Sequence, residues 1–353
     1  MKVTLDDLRH HAIATSLFPA TSLRRAIARL GFVQADPIRS PARAQDLILR
    51  HRVIDYRAGD LDRNYVSLDL EEDFLYAYGF MPQSTWRLLH PRGQRRLSKV
   101  EQRILDIVSQ SKRLHPRELE SELGKRREIN AWGGYSKATT HSLQRLHYLG
   151  LIRIVGRENG VRVYGRTVAA HEPHDPAERL RRLVLTIAKL LAPAPESSLQ
   201  ATLRHLGRAA PHLTGRIGAV KRLLQAGDLQ SAEVEGVRYV WPTARLVRQQ
   251  PEDAVRFLAP FDPLVWDRQR FELFWKWPYR FEAYTPPPKR KLGYYAMPML
   301  WRADVVGWVN ISVRAGKMIV DPGFTKPEIP VEKEFQSAFD AECGRFELFL
   351  SNR

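Results

Sequence analysis

One plan, three helices and then a hairpin, runs twice through the middle of this chain and limits its fold more than any other feature. In the first copy Ser98-Lys-Val-Glu101 is a capping box. The helix it opens places Val100, Ile104, Ile107 and Val108 at inward spacing. Pro116 to Leu123 reads as a second helix closed by Gly124, and Ser136 to Leu149 as a third closed by Gly150. Leu151 to Tyr164 is then a hairpin about Asn159-Gly160, a strong two-residue turn signal. The second copy has helices over Ala177 to Leu191, Leu199 to Leu206 and Thr214 to Gln225. A hairpin over Leu229 to Trp241, about Glu235-Gly236, closes it. Leu146-His-Tyr-Leu-Gly-Leu-Ile-Arg153 sets against Leu223-Leu-Gln-Ala-Gly-Asp-Leu-Gln230 at the same place in both. Helices ending in a basic hairpin describe a winged helix.

The flanks differ. Residues 1–95 are helix-rich, with a capping signal at Thr4-Leu-Asp-Asp7 and helical faces at Leu5, Leu8, Ala12 and at Leu23, Ile27, Leu30. A helix is predicted over about Pro41 to Arg52, and this unit reads as a third, degenerate copy. From Val255 onward, strands are predicted over Arg280 to Tyr284, Gly293 to Trp301, Asp304 to Ser312 and Lys317 to Val320, with a helix from Glu332 to Leu350. The expected class is α+β: tandem winged helices at 1–95, 96–170 and 171–249, then a small C-terminal β-barrel at 250–353.

Charge names the partner. Lys and Arg number 56 against 39 acids, a net +17. Residues 96–170 alone carry 15 basic and 7 acidic side chains. Arginine dominates, and its planar fork suits phosphate. A basic chain built on winged helices predicts double-stranded DNA as partner. No run of eighteen apolar residues predicts a membrane span. The first residues lack an apolar signal core, so a cytoplasmic, nucleoid-associated place is expected. The single cysteine, Cys343, excludes an internal disulfide and a multi-cysteine zinc site. Neither metal nor cofactor is expected, and one chain with several winged helices suffices to surround a duplex as a monomer.

Gln34-Ala35-Asp36-Pro37 is the candidate site. In an extended backbone residues two apart share a side, so an amide and a carboxylate would converge and could hold a water. Pro37 disfavours the helical region for Asp36. Asp before Pro is also a common helix start, and the stretch alone favours that cap. Candidate phosphate contacts are Arg39 and Arg43 beside it, Lys137 and Arg145 on the third helix, and Arg157 and Arg162 on the hairpin. Lys289-Arg290-Lys291 lies between two predicted strands with Tyr294 and Tyr295 behind, the form of a hairpin that follows a phosphate backbone. The same run also suits a solvated turn. No Gly-rich phosphate loop, HExxH motif or Gly-x-Ser-x-Gly elbow is present.

Three stretches together resemble the winged-helix DNA glycosylases of the AlkZ/YcaQ type. They are Gly31-Phe-Val-Gln-Ala-Asp-Pro-Ile38 with Ala42-Arg-Ala-Gln-Asp-Leu47, then Phe80-Met-Pro82, then Ala259 to Arg268 with Tyr279 to Pro298. The resemblance implies three winged helices and a barrel around a DNA channel. It also implies a monofunctional glycosylase that removes N7-alkylguanine and unhooks interstrand crosslinks. Gln34 and Asp36 match the family's Gln-x-Asp triplet, and Lys289, Arg290 and Lys291 match its basic hairpin. Asp36 would then activate water and stabilise the sugar cation. Tyr76 stands where the family commonly has histidine, and Asn310-Ile-Ser312 where it has Asp-x-Lys. These departures leave the substrate range open. The alternative is a non-catalytic winged-helix DNA binder or transcription regulator.

Overall fold

The computed structural model describes residues 2–351 except 94–95, 112, 124–126, 130–134, 159, 168–174 and 327; of 120–122, 127–129, 135–138 and 330 it describes the backbone alone. Gly124 and Asn159, the expected helix stop and turn, lie outside the described residues.

The first unit runs α1 (Leu5–Ser16), α2 (Leu23–Leu30), β1 (Val33–Gln34), α3 (Ala44–Leu49), α4 (Asp60–Asn64), β2 (Leu70–Phe74), β3 (Tyr78–Pro82) and α5 (Gln83–Leu89). A reciprocal capping box opens α1: Asp7 N–H donates to Thr4 Oγ1 at 3.2 Å, and Thr4 N–H to Asp7 Oδ2 at 2.9 Å. The three strands pair antiparallel in the order β1-β3-β2.

The second unit has α6 (Lys99–Gln110), α7 (Pro116–Leu123), β4 (Arg127–Ile129), β5 (Tyr135–Lys137), α8 (Ala138–Tyr148), β6 (Ile152–Glu158) and β7 (Val161–Arg166). The Ser98–Glu101 capping box forms. Val100, expected inward, is exposed; Glu101 takes the buried place, capping α6 and pairing with Arg145. Ser136 and Lys137, expected on the third helix, belong to strand β5, which pairs with β4.

The third unit has α9 (Pro176–Leu190), β8 (Ala194–Pro195), α10 (Glu196–Ala209), α11 (Ala219–Gln225), β9 (Leu229–Val234) and β10 (Val237–Pro242). Helix α11 starts five residues later than expected, because Gly215 and Gly218 take positive φ. The sheet order is β8-β10-β9. It repeats β1-β3-β2: a short upstream strand pairs with the second strand of a hairpin. In the second unit a bridge from Leu114 to Tyr164 of β7 takes the short strand's place.

The C-terminal unit has β11 (Val255–Phe257), α12 (Pro263–Trp266), α13 (Arg268–Trp275), β12 (Met297–Trp301), β13 (Asp304–Arg314), β14 (Lys317–Phe324) and α14 (Lys333–Leu350). Strands β11 to β14 form one antiparallel sheet in chain order, curled into a half-barrel with a bulge at Met299/Leu300. Among the described residues the small barrel that was expected is formed only as this half. Helix α14 covers β11 instead, with Phe346 and Phe339 against Phe257 at 6.1 and 5.5 Å between ring centres. Arg280 to Tyr284, expected as a strand, joins no ladder. Glu282 Oε2 accepts the backbone N–H of Lys291 at 2.9 Å, of Leu292 at 2.8 Å and of Gly293 at 3.3 Å, which draws the segment into a closed loop.

Buried ion pairs join the first unit to the last. Arg52 forks onto Asp262 at 2.8 and 3.0 Å, both side chains fully buried. Arg50 pairs with Glu342 of α14, whose Oε1 also accepts Phe257 N–H at 3.0 Å. The hairpin β6–β7 leans on β2 through Arg153–Glu71 at 2.8 Å and Arg157–Glu72 at 2.6 Å.

Candidate active site

The site begins where α2 stops. Gly31 closes α2 with φ +75°. The chain turns into β1, where Val33 sits opposite Phe80 and Gln34 opposite Gly79. Gly79 is required there: a Cβ would lie 2.3 Å from Val33 O and 2.6 Å from the Phe32 ring. Ala35 N–H extends the ladder, donating to Tyr78 O at 2.9 Å. The chain then leaves the sheet at Asp36.

Asp36 caps no helix. Its Oδ1 accepts Ile38 N–H at 2.9 Å across Pro37, a short turn, and the next helix, α3, starts at Ala44. The cap reading falls because the ladder holds the backbone extended up to Ala35. Asp36 is half-buried and lines a cleft of about 470 Å³ with Arg43, Gln45, Tyr78, Arg157 and Arg162. The cleft thus has three guanidinium side chains, yet among the described residues none is in ion-pair range of Asp36. Each is engaged elsewhere. Arg43 donates to Asp62. Arg157 reaches both oxygens of Glu72 at 2.6 Å. Arg162 stacks over the Tyr78 ring at 4.8 Å and lies 3.5 Å from Glu72. Burial pushes the Asp36 carboxyl up, and the Ile38 N–H partly offsets this. Gln34 does not join Asp36 in lining this cleft: it sits opposite Gly79, out of phase with Ala35, Tyr78 and Phe80, which do line it, so the convergence expected of the two side chains is not seen; Gln34 is half-buried, and its Oε1 is buried with no hydrogen-bond partner.

The structure distributes the other predicted residues unevenly. Arg39 is exposed near the mouth, and a second groove of about 760 Å³ shares Arg39 and Arg43 with Arg63 and Lys317. Arg145 bonds the buried Glu101. Lys137 is on β5, its side chain outside the described residues. Lys289 and Lys291 are exposed beside a single 3-10 turn, Pro287–Lys289, rather than on a hairpin. Arg290 donates to Thr285 O at 2.8 Å and covers the Tyr294 ring at 5.0 Å. Asn310 Nδ2 donates to Leu292 O at 2.7 Å and so ties down this loop. Tyr76 is buried edge-on to Trp266 at 4.5 Å and near Phe32 at 5.0 Å, a packing role behind β1.

Sequence reasoning missed Asp62 and Glu72, the acids that engage the cleft's arginines. The run Glu71-Glu72-Asp73 was the signal: three acids on a buried strand need cations facing them. Among the described residues no cluster of His, Cys, Asp and Glu could hold a metal ion, and no helix is long and apolar enough to cross a membrane.

An unpaired carboxylate in an arginine-walled cleft, on a chain with a surplus of 17 positive charges, is a site for a polyanion whose chemistry needs a base. Residues 27–349 match the family described as DNA glycosylase AlkZ-like, and the chain belongs to that family. It is therefore a DNA glycosylase, a hydrolase of N-glycosyl compounds, and DNA is its substrate. This sets aside the reading as a non-catalytic regulator. The fold is also that of the Streptomyces sahachiroi DNA glycosylase AlkZ, at a TM-score of 0.65 and 15% identity over 99% of this chain and 97% of that one.

Proposed function

We propose that this glycosylase removes bulky or crosslinking N7-alkylguanine from duplex DNA and is monofunctional. The observation that carries the reading is Asp36, a half-buried carboxylate without a cation partner among the described residues, in a cleft that carries three guanidiniums. N7 alkylation makes guanine cationic, so it leaves without protonation by the enzyme, unlike a sugar leaving group that needs an acid. The N9–C1′ bond breaks, its electron pair neutralises the purine, and C1′ gains oxocarbenium character. Asp36 stabilises that charge and takes a proton from the attacking water; Gln34 orients the water with its unpartnered Oε1. Among the described residues no lysine lines the cleft, which fits hydrolysis rather than a Schiff base.

Three winged helices, at 1–95, 96–170 and 171–249, followed by a half-barrel unit at 250–353, form the DNA-binding frame of a monomer in the cytoplasm. The repeated sheet plan supports this division. Lys289, Arg290, Lys291 and Arg39 are the phosphate contacts the geometry favours, because they are accessible and lack carboxylate partners among the described residues. Arg157 and Arg162 hold the second unit to the first, Arg145 is taken up by Glu101 within its own unit, and Arg43 sits between the two roles.

The test is incubation with duplex carrying N7-methylguanine or a nitrogen-mustard crosslink, followed by alkaline cleavage of abasic sites. Release by the wild type, lost in Asp36→Asn and reduced in Gln34→Ala, is expected. No release, or equal release by both variants, overturns the reading.

A further inference from the structure

The Asp36 cleft contains a side-chain amide that the hydrolysis described above does not use. After Asp36 the chain folds back on itself through a bridge between Arg39 and Arg43, and it returns to the same cleft as helix α3. Gln45, the second residue of α3, lines the cleft together with Ala35, Asp36 and Pro37. Its surroundings are fixed. Helix α3 lies against β1. Asp46, the next residue, accepts the Tyr56 hydroxyl at 2.7 Å and Gly59 N–H at 3.0 Å, and Arg43 donates to Asp62. Gln45 is 4% exposed, yet its Oε1 is buried with no hydrogen-bond partner. Its Nε2 makes no hydrogen bond either among the described residues. With Oε1 closed off, the N–H end is the one left to face the cleft.

A buried amide with no partner is costly unless the site's working state supplies one. The direction of charge flow decides which partner an N–H donor can serve. A donor speeds a step only if its acceptor is richer in electrons in the transition state than before it. As the N9–C1′ bond breaks, the attacking water and the ring oxygen of the sugar both lose electron density. The departing purine gains it. Its N3, one carbon away from N9, is a poor acceptor while the base is cationic and a good one once the electron pair arrives. A carboxylate and an N–H in one cleft therefore divide the work: the first suits the sugar that becomes positive, the second the base that becomes electron-rich.

We propose that Gln45 is a further catalytic residue: its Nε2–H donates to N3 of the departing purine and stabilises the base as it takes up the electron pair, while Asp36 serves the sugar and the water. The proposal rests on the alkylpurine reading above and gives it a specificity element, since the hydrogen bond is open only to a lesion whose N3 is free. No proton is transferred, so the alkylguanine still leaves as a neutral base.

Removing the donor and the acceptor in turn tests this. Single-turnover release is followed over a range of enzyme concentrations for two duplexes, one with N7-methylguanine and one with its 3-deaza analogue, in which a C–H replaces N3. Gln45→Met keeps the length of the side chain and loses the amide. Its plateau rate on N7-methylguanine should fall about threefold to tenfold at unchanged half-saturation, as for one lost hydrogen bond. On the 3-deaza lesion the wild type and Gln45→Met should have equal plateau rates, since no acceptor is left to lose. The melting temperature of Gln45→Met should not drop, because an unpartnered buried amide gives way to an apolar side chain of similar shape. If the wild type is active and Gln45→Met keeps its plateau rate on N7-methylguanine, or loses the same factor on both lesions, Gln45 does not donate to N3 and the alkylpurine reading survives. A wild type that releases no alkylguanine overturns both.

Discussion

Two segments of this protein are rich in cations and use them in opposite ways. On the β6–β7 hairpin, Arg153, Arg157 and Arg162 face Glu71 and Glu72, and the segment is held against the first unit. In the loop before β12, Lys289 and Lys291 are exposed and, among the described residues, paired with no carboxylate. Charge on a sequence is therefore not yet charge for DNA: a guanidinium whose charge is already met by a buried glutamate has less left for a phosphate. The first segment builds the cleft, and the second is available to the substrate. Asp36 shares its cleft with Arg157 and Arg162 and, among the described residues, pairs with neither of them nor with Lys289 or Lys291.

The sharpest break of this contrast is Asp36→Asn. The plateau rate of alkylguanine release should fall by about 10²- to 10⁴-fold, the usual contribution of a general base, while DNA binding persists in a gel-shift titration. In the wild type, the rate should fall on acidification at a pH above the ordinary aspartate range, because burial raises Asp36 and its carboxylate is the working form. Next is Glu72→Gln, which leaves Arg157, Arg162 and the Tyr78 hydroxyl facing a neutral amide with one acceptor oxygen where the carboxylate had two. Breaking a buried pair from one side costs about 3–5 kcal/mol, and urea unfolding should show it.

Asp73 tests the paired side by pH. Burial pushes its carboxyl up, but the His90 hydrogen bond at 2.9 Å and the Arg92 charge at 2.9 Å reverse this and lower it to about 2. A carboxyl whose folded value lies below its unfolded 3.8 contributes stability above that pH and loses it as pH falls toward 2. Asp73→Asn should remove about 2 kcal/mol at pH 7 and flatten the stability profile between pH 4 and 2. The smallest effect concerns the free side. Lys289→Ala and Lys291→Ala should each lower the salt dependence of DNA binding by about 0.9 in log–log slope, one phosphate contact apiece. Arg157→Ala should leave that slope in place while lowering the melting temperature. Equal slopes for all three variants would erase the distinction.

Much of this was legible from residue order, and the failures share one cause. Capping boxes at Thr4 and Ser98 and the glycine stop at Gly31 act within a turn of themselves, so they read correctly. The approach to Asp36 did not read: the stretch alone favoured a helix cap, and it is the distant β3 strand that holds the chain extended up to Ala35. The partners of Arg157 did not read, because Glu72 lies 85 residues away and sequence displays sign without position. Arg280 to Tyr284 has the aromatic spacing of a strand, but Glu282 takes three N–H groups that a ladder would have claimed. Barrel closure failed for the same reason at larger scale: helix α14 covers the edge strand that a fifth strand would have joined.

The Arg52–Asp262 fork also has a birth order. Arg52 meets a partner made 210 residues later, and Arg50 one made 292 residues later. At a synthesis rate of ~5–20 residues per second these delays are about 10–40 s and 15–60 s. Throughout that interval the nascent first unit carries two arginines destined for a dry interior and no acid to meet them. The stretch bearing Arg50 and Arg52 is thus among the first parts translated and among the last to be paired, so a ribosome stalled before residue 262 should present it to proteases more openly than the finished chain does.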